Sequence, residues 1–327
     1  MRMFSSRAAV VALVLAAAVM AGGCGQVGKI KAKMAVKKAN PAYTAQDYKT
    51  AAGFYEVALQ QDPSLTDLFF FLGNSYDNMY RPAKKGDATN DSYLTKAVEN
   101  YKKGSEQAAT PSIKHLSLQY LVSVYNSPDK MNDPSQAEPL LLSMMQMDPN
   151  DVTNYFVLSR IYEDAGDYER AEQQLVTARE RRPKDPAVYM NEAGFYQRQG
   201  DFEKMIEAVQ ERTKQEPNNP EAFYTLATFY WEKASRDVKL SDAQKANFAN
   251  AGLEAVNKAL DLKSDYFEAI TYKNLLLRTK ANISKDPKEQ QQFLKEADEL
   301  RKQAEEMRNK QRAAGAGANT GATAKKK

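Results

Sequence analysis

Residues 155–162 read Tyr155-Phe-Val-Leu-Ser-Arg-Ile-Tyr162; 34 residues on, the chain reads Tyr189-Met-Asn-Glu-Ala-Gly-Phe-Tyr196, and after another 34, Phe223-Tyr-Thr-Leu-Ala-Thr-Phe-Tyr230. The aromatics that open and close each segment keep this interval, as do the small residues between them, Ser159, Ala193 and Ala227. Pro149, Pro183 and Pro217 keep it too. A fixed period of this length marks a repeat architecture, in which one unit cannot bury its apolar face and stacked neighbours supply the core. Each residue type has a packing reason. The small residue lets two helices approach closely, the aromatics fill the gap to the next helix, and proline ends one helix before the next begins.

The same grammar recurs upstream. Phe69-x₂-Leu72-Gly73-x₂-Tyr76 repeats the first-helix pattern, and second helices read Ala51-x₃-Tyr55 ending at Pro63 and Ala171-x₃-Leu175 ending at Pro183. In period and in these motifs the chain resembles the tetratricopeptide repeat family. The resemblance implies an all-α fold, a solenoid of about six to seven helical hairpins over residues 32–283, with repeats from near residues 32, 66, 115, 152, 186 and 220 and a degenerate seventh from 267. Pro41 makes the first of these the least regular. Two repeats carry extra residues between their helices, around 81–92 and 234–248. Such insertions fall on one edge of a solenoid, as binding elaborations or as passive loops.

Beyond Asn282 the period gives way to Phe293, Ala297, Leu300, Ala304 and Met307, alternately four and three apart, which is one stripe of a helix. Residues 284–313 are expected to form a capping helix whose outer face pairs Asp298 with Lys302 and Glu306 with Lys310. A helix that pairs with a second copy is the alternative. The Ala/Gly-rich stretch 314–327 is expected to be a disordered low-complexity tail.

The N-terminus reads as an address. Arg2 and Arg7 precede an apolar run from Ala8 to Ala21, too short to span a bilayer but suited to a secretory signal peptide over residues 1–23. Ala21-Gly22-Gly23-Cys24 resembles a bacterial lipobox, with Ala21 where a leucine is usual; this implies lipidation at Cys24. The alternative is ordinary signal cleavage that leaves Cys24 a free thiol. Gly25 in place of aspartate implies the outer membrane, facing the periplasm. The lysine-rich tether, 24–31, with Lys33, Lys37 and Lys38 beyond it, could lie on anionic head groups; the plainer alternative is a solvated helix start. Together with the segment Asp265–Arg278, this layout resembles bacterial tetratricopeptide lipoproteins.

Composition narrows the chemistry. The sequence holds one cysteine and one histidine, so an intramolecular disulfide is impossible and histidine-rich metal sites are absent. The formal net charge of +4 resides in the ends: without Arg2, Arg7, the five lysines at 29–38 and the three at 325–327, residues 39–324 are net −6. Nucleic-acid binding needs a basic surface over the folded body, and that class is set aside. No phosphate loop, nucleophile elbow, zinc-protease or paired-cysteine motif occurs. His115, at the start of an expected helix, reads as exposed or capping. We therefore expect no enzyme, no metal, no cofactor and no small-molecule substrate.

The resemblance implies a groove lined by first-helix residues. Its fifth position gives Phe70, Phe156, Met190 and Tyr224; Trp231 takes the twelfth, and Asn74 and Arg160, at the ninth, are polar residues of the kind that clamp a carboxylate. The expectation is a lipid-anchored envelope scaffold that binds a protein or peptide through this groove and assists assembly of an envelope complex. A structural spacer with no groove ligand is one alternative, in which case the same side chains are internal packing; an enzyme whose carboxylate pair sits in a cleft that no motif reveals is the other.

Overall fold

The structure, a computed structural model, describes residues 26–323, with side chains through residue 310. Among these there are fourteen α-helices and no strand: α1 (26–44), α2 (Tyr48–Gln61), α3 (Leu68–Met79), α4 (Ala88–Gln107), α5 (Pro111–Asn126), α6 (Pro134–Met147), α7 (Val152–Asp164), α8 (Tyr168–Arg181), α9 (Pro186–Gln199), α10 (Phe202–Gln215), α11 (Pro220–Arg236), α12 (Asp242–Leu262), α13 (Phe267–Ile283) and α14 (Pro287–Thr323). The chain divides into two compact units, one through Asp167 and the other from Tyr168.

Local chemistry sets the helix limits. Pro149, Pro183 and Pro217 stand two residues past the ends of α6, α8 and α10. Pro111, Pro134, Pro186 and Pro220 open α5, α6, α9 and α11, where a missing N–H costs nothing. Asp151, Asp185, Asp201 and Asn219 each accept a backbone N–H from the first turn that follows. Gly166 and Gly200, at φ 78° and 75°, take the left-handed conformation that turns a first helix into a second. Gln46 does the same work between α1 and α2 at φ 61°; in all three turns the next residue, an aspartate, donates its N–H to a carbonyl five residues back.

In the first unit, successive helices from α2 to α7 pack on one another, and α3 also meets α5. Tyr55 and Tyr101, almost wholly buried, anchor this core. In the second unit, α8 to α14 pack in sequence, and α11 meets α13. Here Ala193, Ala227, Val209, Val256 and Leu276 fill the centre. The small residues earn their place by contact: a Cβ on Gly73 would lie 2.9 Å from the Tyr101 ring, and one on Gly252 would lie 2.7 Å from Leu276.

Several boundaries differ from the sequence reading. The expected tether over 24–31 is, from residue 26, part of α1, which continues through Pro41 near its C-terminal end. The third repeat begins at Pro111 rather than near 115, so His115 lies in the second turn of α5, 4.0 Å from Asp151. The extra residues mostly lengthen helices: α4 has 20 residues and α12 has 21, leaving only 80–87 and 237–241 as connections. The first connection is tied down by buried Asn90, whose side chain accepts from the Arg81 N–H and donates to the carbonyls of Arg81 and Lys84. The helix read as ending at 313 continues to Thr323, into the stretch expected to be a disordered tail; its alanines favour helix. Asp298 turns to Arg278 of α13, 2.7 Å away, and to Arg301, 3.7 Å away, instead of to Lys302, because α14 packs along α13 as the second half of a seventh hairpin.

Candidate functional site

The expected groove residues divide sharply once packed. In the first unit, Phe70 is 6% exposed, edge-on to Phe71 and to Tyr120 of α5. Asn74 is equally buried, accepting from the Tyr43 hydroxyl at 2.7 Å and donating to Tyr101 Oη at 3.4 Å. Neither is presented to a partner. Both belong to an interior chain that continues from the Tyr101 hydroxyl to Asp77 (3.4 Å) and on to Lys130 Nζ (2.6 Å). Burial pushes the Tyr43 hydroxyl up to about 12, and raises that of Tyr101 further, with Asp77 adding to it. These hydroxyls stay protonated and serve as donors that fix the helices. Phe156 is half-buried on α7, and Arg160, one turn on, is exposed and paired with Glu163 and Asp164.

In the second unit Met190 is half-buried on α9. Tyr224 and Trp231, two turns apart on α11, are also half-buried, and α13 brings them into one cluster. Tyr272 meets Tyr224 edge-on at 5.4 Å and Trp231 edge-on at 5.3 Å, and Tyr266 lies 5.2 Å from Tyr224. The Arg236 guanidinium lies 5.8 Å from the Trp231 ring. Burial raises the Tyr224 hydroxyl, with Tyr272 and Tyr266 adding to the shift. The four rings form one cluster of half-buried aromatics, three from the first helices α11 and α13 and one, Tyr266, from the residue before α13. Tyr266 and Tyr272 were missed because Tyr266 precedes α13 and Tyr272 falls one place beyond the fifth position; only the contact of α11 with α13 joins them to Tyr224.

A second surface lies on α1. Ala32, Ala35 and Ala39 are buried, whereas Val27, Ile30 and Met34 are 52%, 57% and 60% exposed on the opposite side. The exposed lysines 29, 31, 33, 37 and 38 flank that apolar strip. Cys24 lies outside the described residues. Among the described residues no helix is long and apolar enough to cross a membrane, and no group of three or more His, Cys, Asp or Glu side chains is placed to hold a metal ion.

Comparison with known proteins agrees with the repeat grammar. Residues 130–194 match a tetratricopeptide repeat family model. No curated protein matches the chain in sequence. Among solved structures it is similar to MamA (19% identity over 54% of this chain and 90% of that one, TM-score 0.38). It is also similar to a tetratricopeptide repeat protein from Parabacteroides merdae (11%, 82% and 98%, TM-score 0.44) and to yeast Tom70 (15%, 78% and 59%, TM-score 0.38).

Proposed function

We propose that this chain, whose residues 130–194 match a tetratricopeptide repeat family model, is a lipid-anchored scaffold of a bacterial cell envelope that binds an apolar or amphipathic segment of a partner protein. The observation that carries the binding half is the cluster of Tyr224, Trp231, Tyr266 and Tyr272. Aromatic side chains that stay partly exposed on a fixed backbone supply contact area at little entropic cost, and such residues dominate binding energy at interfaces. The partner segment lies across the first-helix face, its apolar side on these rings and its polar side toward Arg236.

The anchoring half is supported by the α1 surface. An exposed apolar strip between rows of lysines suits the boundary between head groups and acyl chains, where the lysines meet anionic lipid and the strip enters the surface. A lipid on Cys24 and a basic amphipathic helix two residues later act together as two anchoring signals. The reading places the protein at the outer membrane, facing the periplasm. Replacing Cys24 with alanine tests it: the protein should move from the membrane to the soluble fraction or remain as an uncleaved precursor. Unchanged membrane association with an unmodified thiol by mass spectrometry would contradict it.

The competing reading, a spacer without a groove ligand, is favoured by the same rings contacting one another. The two are separated by whether loss of those rings removes a partner or removes stability.

A further inference from the structure

At the seventh position of the first helix, three repeats place a leucine: Leu72, Leu158 and Leu226. The repeat beginning at Pro186 places Glu192 there. Its side chain is 1% exposed, so a carboxyl group occupies a core position that its sisters fill with hydrocarbon. Arg179 Nη1 donates to Oε2 at 3.1 Å, and Oε1 has no hydrogen-bond partner. A buried carboxylate oxygen left unpaired is costly, and no packing role calls for it where leucine serves three times.

Glu192 lines a cavity of about 700 Å³ between α8, α9 and α10. The rings of Tyr189 and Tyr196 form part of its wall, and Glu172, Glu180, Glu207 and Glu211 stand around it against the cations Arg179 and Lys204. The cavity already accommodates cations of its own chain. Lys204 Nζ lies 5.1 Å from the centre of the Tyr196 ring and 2.8 Å from Glu172. The neighbouring cavity between α10, α11 and α12, about 740 Å³, offers an internal comparison: there Leu226 replaces Glu192 and Phe223 replaces Tyr189.

We propose that the cavity between α8, α9 and α10 binds an organic cation, the lysine ammonium or arginine guanidinium of a partner segment, with Glu192 as its buried counter-ion and Tyr189 and Tyr196 as its aromatic walls. Arg179, whose side chain is 43% exposed, covers the carboxyl and gives way as the ligand enters. A cation between aromatic faces and a desolvated carboxylate gains from both. This site lies between the first helix α9 and the second helices α8 and α10, and does not depend on the aromatic cluster of α11 and α13.

Calorimetric titration of the full chain in detergent at about pH 8, above the raised Glu192 carboxyl, tests this with four probes. These are N-acetyl-lysine methylamide, N-acetyl-arginine methylamide, the Nε-acetylated lysine analogue and spermidine. The lysine or the arginine derivative should bind saturably, the acetylated analogue should not, and Glu192→Gln should weaken binding by at least about tenfold. Glu192→Leu, which installs the sister residue, should abolish binding while the protein stays folded by circular dichroism. Equal binding by wild type and Glu192→Leu, binding of the acetylated analogue, or no saturable binding of any cation would overturn the proposal. Spermidine binding alone would overturn the assignment to a partner side chain in favour of a free polyamine.

Discussion

The hydroxyl of Tyr196 donates to Glu172 Oε1 at 2.8 Å, and 34 residues earlier Tyr162 stands in the same relation to Glu138, at 2.7 Å. Tyr76 likewise donates to Glu56, and at Tyr230 the partner becomes Gln210, which donates to the hydroxyl at 2.9 Å. The tyrosine that closes each first-helix motif thus ties that helix to the preceding second helix while its ring packs. Tyr155 and Tyr189 make a second such tie, to the carbonyls of Pro149 and Pro183.

Tyr196→Phe removes the tie and keeps the ring. Chemical denaturation should show a loss of about 1 kcal/mol. Lys204 and Tyr196 hold the Glu172 carboxyl below the usual range. A depressed carboxyl contributes stability that is present above its ordinary value and lost as pH falls through its lowered folded value. The wild type should therefore lose more stability than Glu172→Gln on acidification; parallel curves would show that the Lys204 and Tyr196 contacts do not form in solution.

Gln46 occupies a left-handed turn position that Gly166 and Gly200 fill elsewhere. Gln46→Gly should raise stability by about 1 kcal/mol, since the strain on a side chain at this φ outweighs the extra freedom of glycine in the unfolded chain. A lower melting temperature in the variant would contradict the assigned turn.

Ala227 is fully buried where α11 meets its neighbours. Ala227→Phe should cost about 1–3 kcal/mol or more by overpacking, whereas Lys288→Phe, at an exposed position, should leave the melting temperature nearly unchanged. Equal effects would show that the repeat register is wrong.

Burial pushes the Glu192 carboxyl up to about 7, against the ordinary 4.5, with Arg179 pulling the other way. The sign is opposite to that of Glu172. The folded state holds this proton where the unfolded chain releases it, so stability falls as pH rises from about 4.5 through about 7 and levels off above, by up to about 3 kcal/mol. Glu192→Leu should remove this dependence and raise the plateau at alkaline pH. A wild-type stability that is flat over this window would place the carboxyl in water.

The stretch from Pro149 to Tyr230 was legible because its signals, aromatics and prolines at one interval, are local and repeat. What was not legible depends on neighbours that no single repeat contains. Phe70 and Asn74 sit at the right register for a groove, but Tyr43, Tyr101 and Tyr120, brought from three other helices, enclose them. Tyr272 joins Tyr224 and Trp231 only because α13 packs on α11, and its own repeat has slipped by one place. The first repeat hid its turn because Gln46 takes a conformation that glycine normally announces. Glu192 passed unread, since a motif of aromatics and small residues says nothing about the residue between them.

The central claim is that the rings on α11 and α13 face a partner. A photo-crosslinking amino acid at Trp231, compared with one at Gln173 on an exposed face of α8, tests it most directly in intact envelopes. The account predicts one defined adduct from position 231, none from position 173, and loss of the position-231 adduct in Tyr224→Ala/Tyr272→Ala without loss of helicity. No adduct at 231, or the same adduct from both positions, or an alanine pair that unfolds the chain while capture persists in the folded remainder, would contradict it.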